Sequence, residues 1–402
     1  MTPLRFVILF LPPLWLMAHV LGWRGLRWPL RLLAALALVL VSQAHAIDGW
    51  LFQSIAGPDM PAWLLMPQLW LYTAMLLLFC CTLFWDTLWL LRRLFRQAAV
   101  QTRADFAPDR RRILRRGGAL ALSLGASAVG MAQGLALPKV RELSLALPDL
   151  PPDLAGLRIA HLADLHIGPL TSRDWVRQVA ALTMRLQPDL VCLSGDLSDG
   201  RPEYRAADGG SRARAFSELA ALRAEYGVFA CTGNHEYYSD YPGWMALYAR
   251  SGIRVLHNEA VLLPRGAARL VLLGLDDRTG GRFGYPVATD VPALLAGLPG
   301  RADNACRLVM AHRPDTAMLH AQAGADMQLS GHTHGGQCLG MDRIVAHYNQ
   351  GLVRGWYRVA GMPLYVSNGA GLWSGYPLRL GVPAEIELIT LQRGQATVMP
   401  EL

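Results

Sequence analysis

Five short segments in the C-terminal two-thirds of the chain carry residues that ligate metals. They read Asp164-Leu165-His166, Gly195-Asp196-Leu197-Ser198-Asp199, Gly233-Asn234-His235-Glu236, His312, and Gly331-His332-Thr333-His334. Each follows a short apolar run. Carboxylate, amide and imidazole donors without thiolate suit Mn, Zn or Fe, with Mg less favoured. Such a donor set fits phosphate ester chemistry. The ester is anionic and repels hydroxide, and two metals about 3.5–4 Å apart neutralise it, orient it and acidify a water between them. That chemistry needs a carboxylate able to bridge both ions. Asp196 is the natural bridge. Asp164 and His166 leave one strand end together, Asn234 supplies a neutral oxygen, and His312, His332 and His334 close the set. One such segment alone is commonplace on solvated loops; five in order are not.

The elements that position these residues follow an alternating pattern. Apolar runs at 157–162, 189–193, 228–231, 270–273, 308–311, 327–329, 364–367 and 385–391 read as strands, with short ones near Ile253 and Val261. Helical patterns at 171–186, 212–226, 242–250, 291–298 and 315–323 lie between them. The alternation predicts an α/β layered fold. Ligand sites in such folds lie beyond the carboxyl ends of the strands, where every one of the five segments falls.

The first third of the chain differs. Of 402 residues 52% are hydrophobic and 17% charged, and the excess lies before residue 138. Apolar spans at about 6–21, 30–47, 64–91 and 117–137 predict an all-α transmembrane domain of about four helices. The first is short and carries Pro12-Pro13. The net charge is +8, with a single Lys, Lys139. Arg24, Arg27 and Arg31 follow the first span. Arg92, Arg93, Arg96, Arg103, Arg110, Arg111, Arg112, Arg115 and Arg116 lie between the third and fourth, and the 48–60 loop has no Lys or Arg. Positive loops stay in the cytoplasm, so the C-terminal domain is expected on the outer face. Arg110-Arg111-Arg112 before an apolar run is similar to a twin-arginine signal, and Ala126-Ser127-Ala128 to a cleavage site; an uncleaved stop-transfer flank explains both. Asp86 is expected to pair with Arg92 or Arg93. The expected layout is a transmembrane domain over 1–138, a linker over 139–153 and a catalytic domain over 154–402. The six cysteines lack metal-site spacing and read as buried small hydrophobes, with Cys192–Cys231 and Cys306–Cys338 pairings left open. No basic stripe interleaves with aromatics, so no nucleic-acid partner is expected.

The ordered segments resemble the calcineurin-like metallophosphoesterase family over roughly 157–391. Gly331-His332-Thr333-His334-Gly335-Gly336-Gln337 resembles its bacterial, membrane-associated branch. The resemblance implies a four-layer αββα sandwich and two divalent metal ions. It places Asp164, His166 and His334 on one metal, Asn234, His312 and His332 on the other, and Asp196 between them. It makes His235 the catalytic imidazole and Asp199 its orienting partner. Gly233 and Gly331 are read as permitting tight turns, and Glu236 as a rim or structural residue. Arg379 is either a substrate-phosphate contact or a surface arginine. Trp373 contacts lipid, substrate or core.

Together these features predict a membrane-anchored phosphohydrolase, multi-pass in a bacterial cytoplasmic membrane. Its partners would be the lipid bilayer and a phosphoester, a lipid-linked phosphate being the sensible substrate for a tethered site. Two alternatives are a pyrophosphatase of the UDP-2,3-diacylglucosamine type from lipid A synthesis, which needs a cytoplasm-facing site, and a membrane binding or scaffold protein with an inactive site.

Overall fold

Residues 3–23, 25–52, 57–95, 108–287, 290–373 and 375–395 are described by the computed structural model. Arg24, Arg96 and Arg103 of the charge pattern, and residues 396–402 of the expected catalytic domain, lie outside them. The chain falls into two compact units, one of residues 1–53, 63–132 and 375–378, the other of 54–62, 133–374 and 379–402.

The first unit is helical: α1 (Pro3–Leu21), α2 (Trp28–Phe52), α3 (Ala62–Phe95) and α4 (Pro108–Leu135). Trp28–Leu51, Ala62–Phe95 and Leu114–Leu135 are each long and apolar enough to cross a bilayer, while α1 supplies only the shorter apolar stretch Phe10–Leu21. Leucines and aromatics such as Leu33, Phe84 and Trp50 stand exposed on these helices, as expected of surfaces that face hydrocarbon. Some polar groups pair between helices, while Trp15 Nε1, Thr73 Oγ1 and Ser123 Oγ are buried without a hydrogen bond. Trp70 Nε1 donates to Leu124 O at 3.0 Å and Ser127 Oγ to Trp70 O at 2.9 Å, tying α3 to α4. Asp86 does not pair with Arg92 or Arg93. Those residues lie six and seven positions along the helix, beyond the three- or four-residue spacing of facing side chains. Asp86 instead meets His19 Nε2 of α1 at 2.8 Å, and Arg93 lies over the Trp89 ring.

In the second unit the strands alternate which face they bury. Ile159, Leu190 and Cys192 point into the core between two sheets, while Ala160, Val191 and Leu193 pack outward against helices. The first sheet runs β1-β12-β2-β3-β4-β5. It is built of β1 (Lys139–Leu147), β12 (Glu385–Arg393), β2 (Arg158–Leu162), β3 (Leu190–Ser194), β4 (Val228–Cys231) and β5 (Arg254–Val255). The second runs β10-β11-β9-β8-β7-β6. It is built of β10 (Gly355–Val359), β11 (Met362–Val366), β9 (Met327–Ser330), β8 (Ala305–Ala311), β7 (Ala268–Leu275) and β6 (Glu259–Arg265). Helices α5 (Arg173–Arg185), α6 (Arg212–Phe216) and α7 (Tyr241–Arg250) cover the first sheet, and α8 (Val291–Ala296) and α9 (Ala317–Gln322) the second. The result is the expected αββα layering; α10 (Asp342–Tyr348) follows the last ligand loop. Ser172 caps α5, its side chain accepting from Trp175 N.

Two expectations need correction. Lys139–Leu147 is not linker but strand β1, paired in parallel with β12 from Lys139↔Glu385 to Leu147↔Arg393. Its alternating leucines bury Leu145 and Leu147 between the sheets. The helix expected to Tyr226 ends at Phe216 and tightens into a 3-10 turn over Ser217–Ala221. Here the Ser217 hydroxyl bonds back to Ala213 O, competing with the helical pattern. All six cysteines are free.

Candidate metal centre

The parallel strands β2, β3 and β4 lie side by side, and the loops after them carry Asp164 and His166, Asp196 and Asp199, and Asn234 and His235. Strands β8 and β9 deliver His312, then His332 and His334. Backbone bonds lace the loops together. Asp164 N donates to Gly195 O at 3.0 Å, His166 N to Asp196 O at 3.0 Å, and Gly331 N to His312 O at 3.0 Å. Five candidate ligands, Asp164, His166, Asp196, His332 and His334, have positive φ between 44° and 72°. Such backbone costs non-glycine residues on the order of 1–3 kcal/mol each and persists where surroundings over-determine it. Gly233 and Gly331 serve close approach rather than a turn. A Cβ would sit 2.1 Å from Asp196 Oδ1 at the first and 2.3 Å from Asp164 Oδ2 at the second.

Three groups converge, each with donor atoms within 4.8 Å of one another: Asp164–His166–His334, His166–Asp196–His235, and Asp196–His312–His332. Asp196 Oδ2 is 3.1 Å from His312 Nε2 and 3.9 Å from both His166 Nε2 and His235 Nε2. Its Oδ1 accepts from His235 N at 2.8 Å. Asn234 lies on the His312–His332 side, where its Oδ1 and His332 Nε2 both meet the Arg313 guanidinium, at 3.1 and 2.7 Å.

The donors fit metal ions. His312 Nδ1 donates to the Ser194 carbonyl at 2.8 Å, which aims the buried Nε2 at Asp196 Oδ2, 3.1 Å away but without a hydrogen bond. Burial opposes a charge on the ring, yet Asp196 outweighs it and raises the imidazole to about 10, a proton that a bound cation would replace. His166 is held through Nδ1 by Asp199 Oδ1 at 3.1 Å, and its Nε2 lies 3.0 Å from His334 Nε2. Two imidazole nitrogens that close need a cation or a proton to share. Burial holds His332 and His334 well below the ordinary imidazole range, in the neutral form that binds metal. Burial also disfavours the Asp196 charge, but His312 and His235 outweigh it and keep the carboxyl well below its usual range.

Asp199 does two jobs, only one of which the sequence suggested. Its Oδ1 faces His166 Nδ1 and also His235 Nδ1, the latter at 2.6 Å. Burial opposes a charged His235, yet Asp196 and Asp199 outweigh it and raise the imidazole to about 9. An imidazole so raised is protonated at neutral pH. Of the two readings of Glu236, rim or structural, the structural one holds. Glu236 is fully buried and its carboxylate accepts from the backbone N–H groups of Asp196, Leu197 and Gly233, at 3.1, 2.7 and 2.7 Å. Arg379 is neither a substrate contact nor a surface arginine. It is 1% exposed, and donates to Asn368 O at 2.8 Å and Gly371 O at 2.7 Å, pinning the loop that packs on Asp164. Trp373 and Tyr238 flank His235, with ring centroids at 6.1 and 5.1 Å. Arg313 escaped the sequence reading although it adjoins His312. Asp277 Oδ2 at 2.7 Å and Thr279 Oγ1 at 3.3 Å anchor it.

The profile for "Calcineurin-like phosphoesterase" matches residues 157–336. An "Uncharacterized metallophosphoesterase" of Helicobacter pylori is 32% identical over 294 residues, which cover 71% of this chain and 74% of that protein. The chain belongs to the calcineurin-like phosphoesterase family. An "Uncharacterized metallophosphoesterase" of Aquifex aeolicus is 31% identical, with 59% of this chain and 85% of that protein covered. The "Transmembrane protein with metallophosphoesterase domain" of Danio rerio is 32% identical over 284 residues, 68% of this chain. The chain spans 62% of that relative's length and 60% of the Bos taurus protein of the same name.

Proposed function

We propose that this protein is a membrane-anchored phosphoester hydrolase with two divalent ions, Mn, Zn or Fe. The observation that carries the reading is the position of Asp196, whose carboxylate is shared by two ligand groups. Asp164, His166 and His334 would hold one ion and Asn234, His312 and His332 the other, with Asp196 common to both. When bound, the ions supply a nucleophilic hydroxide at neutral pH and neutralise the phosphoryl oxygens. His235 holds a proton at Nε2 for the leaving oxygen, and Asp199 keeps the ring aimed by accepting at Nδ1. Tyr238 and Trp373 narrow the approach to that imidazole.

The anchor supports a lipid-linked phosphate as substrate and a bacterial cytoplasmic membrane as location. An extracytoplasmic site is supported by the charge pattern and by a buried ion pair. Asp59, in the loop between α2 and α3, meets Arg212 NH1 at 2.7 Å, and Pro58 O accepts from the same guanidinium at 2.9 Å. That loop lacks Lys and Arg, whereas the one after α3 is rich in Arg. If α3 and α4 each cross the bilayer, the loop and the catalytic unit share the side opposite the arginines.

The test is hydrolysis of bis-p-nitrophenyl phosphate and p-nitrophenyl phosphate by the detergent-purified protein with Mn, Zn or Mg, beside Asp196→Ala. Metal-dependent turnover that disappears in the variant is expected. Turnover that persists without Asp196 would sink the reading.

A further inference from the structure

The helical unit contains a cleft of about 420 Å³ that the phosphoesterase chemistry does not use. It exists because small residues stand where packing between helices would need large ones. Ala34 and Ala37 on α2, Ala74 on α3 and Ala119 on α4 all line it. Small residues in membrane helices usually let backbones approach closely. Here they leave a space instead, and close-packed interiors do not keep voids of that size. Water is a poor occupant. The polar side chains on the wall gather at one end, where His19 is bonded to Asp86 and Thr82 to Phe79 O. A buried water needs two to four polar partners, and the rest of the wall offers none.

The dimensions and the charge name a better occupant. From Thr82 to Leu71 the α3 wall runs about 16 Å at 1.5 Å per residue. One leaflet of hydrocarbon is about 15 Å deep, half of a 30 Å core. The polar end carries Arg116, whose guanidinium lies over the Trp23 ring at 5.3 Å. Among the described residues Arg116 makes no ion pair. Arg115 beside it and Arg27 after α1 are exposed. The nearby carboxylate, Asp86, is already engaged by His19. A tryptophan and a partly buried arginine at the mouth of an apolar slot one leaflet deep complement an anionic headgroup joined to a fatty chain.

We infer that this cleft is a resident lipid site, holding one acyl chain of an anionic phospholipid with its phosphate at Arg116. The site is independent of the catalytic reading. Its test uses the full chain, purified in mild detergent, delipidated, and exposed to dioleoylphosphatidylglycerol or dioleoylphosphatidylcholine before native mass spectrometry. One phosphatidylglycerol is expected to remain bound, at least tenfold in excess over phosphatidylcholine. Ala74→Phe and Ala119→Leu fill the slot and should lose that lipid, with monodispersity and p-nitrophenyl ester turnover reporting that the chain is folded. Arg116→Gln leaves the slot intact and should erase the preference between the two lipids. Equal retention of both lipids by the unaltered protein would overturn the proposal. So would filled variants that keep the lipid, or an Arg116→Gln preference equal to the parent's.

Discussion

The two halves of the candidate metal centre are built differently. The half around Asp164, His166 and His334 is closed. His166 is locked by Asp199, Asp164 accepts twice from His332 N at 3.0 Å, and Arg379 pins the loop behind it. The half around Asn234, His312 and His332 opens toward Arg313, whose side chain is 18% exposed and touches two of the three expected ligands. Rigid surroundings fix ligand orientation and raise metal affinity. The closed half is therefore expected to hold its ion under dialysis against chelator when the open half has released one, a difference that metal analysis of partly stripped protein checks.

His235 and Asp199 join the halves, and breaking them gives the largest effects after loss of Asp196. His235→Ala should cut kcat by roughly 10²–10⁴ for esters with poor leaving groups, the range of general acid catalysis. The loss should shrink for p-nitrophenyl esters, whose leaving group needs little protonation; equal losses for both would contradict the proton-donor role. Asp199→Asn touches two imidazoles, so it should cost about 10–100-fold in activity and also weaken the closed half's metal affinity. An Asp199→Asn effect on kcat alone would mean that its contact with His166 is unimportant.

How much of this was legible beforehand depends on the distance over which each residue acts. The candidate ligands could be picked out because each of the five segments follows its own strand, a local relation. The apolar spans could be read because hydrocarbon imposes length and composition on contiguous residues. Strand β1 was not legible, since its alternating leucines gain meaning only beside β12, at the far end of the chain, in the pairing Lys139↔Glu385. Asp199 was read as the partner of His235 from the family resemblance. Its second contact, with His166, exists because β2 and β3 are neighbours. Arg379 and Glu236 satisfy loop backbone from elsewhere in the fold, and no spacing in the chain announces that.

Arg313 sharpens the comparison from the open side. Its anchors, Asp277 and Thr279, would still hold it if Asn234 and His332 turned to a metal. Its remaining N–H groups then suit a substrate phosphoryl oxygen. Arg313→Ala should raise KM about tenfold, the worth of one charge-assisted hydrogen bond, and leave kcat within a few-fold. Arg313→Lys should recover only part of this, because the fork geometry is lost. A fall in kcat with KM unchanged would instead place Arg313 in the chemical step.

The smallest effect comes from behind the closed half, where three buried titratable groups meet. Glu387 Oε2 lies 3.2 Å from His161 Nδ1, and His161 Nε2 bonds to Ser194, whose carbonyl receives His312. Burial pushes Glu387 up to about 7, and burial with the Glu387 charge pushes Glu385 up to about 7. Burial brings His161 down to about 4. Both glutamates thus bind protons more tightly folded than unfolded. Their contribution to stability is full below the unfolded value near 4.5 and is lost as pH rises through about 7. His161 acts in the opposite sense, costing stability as pH falls from 6.5 toward 4. Between pH 6.5 and 8 the glutamates act in the same sense as His235 and His312, which their neighbouring carboxylates raise to about 9 and about 10, so the thermal midpoint of the metal-free protein should fall across that window. Glu387→Gln removes one of the two glutamate protons and the repulsion on Glu385, and should make the decline shallower than the parent's while leaving the metal ligands in place. An unchanged slope in the variant would mean that the buried pair keeps its charge compensated at neutral pH.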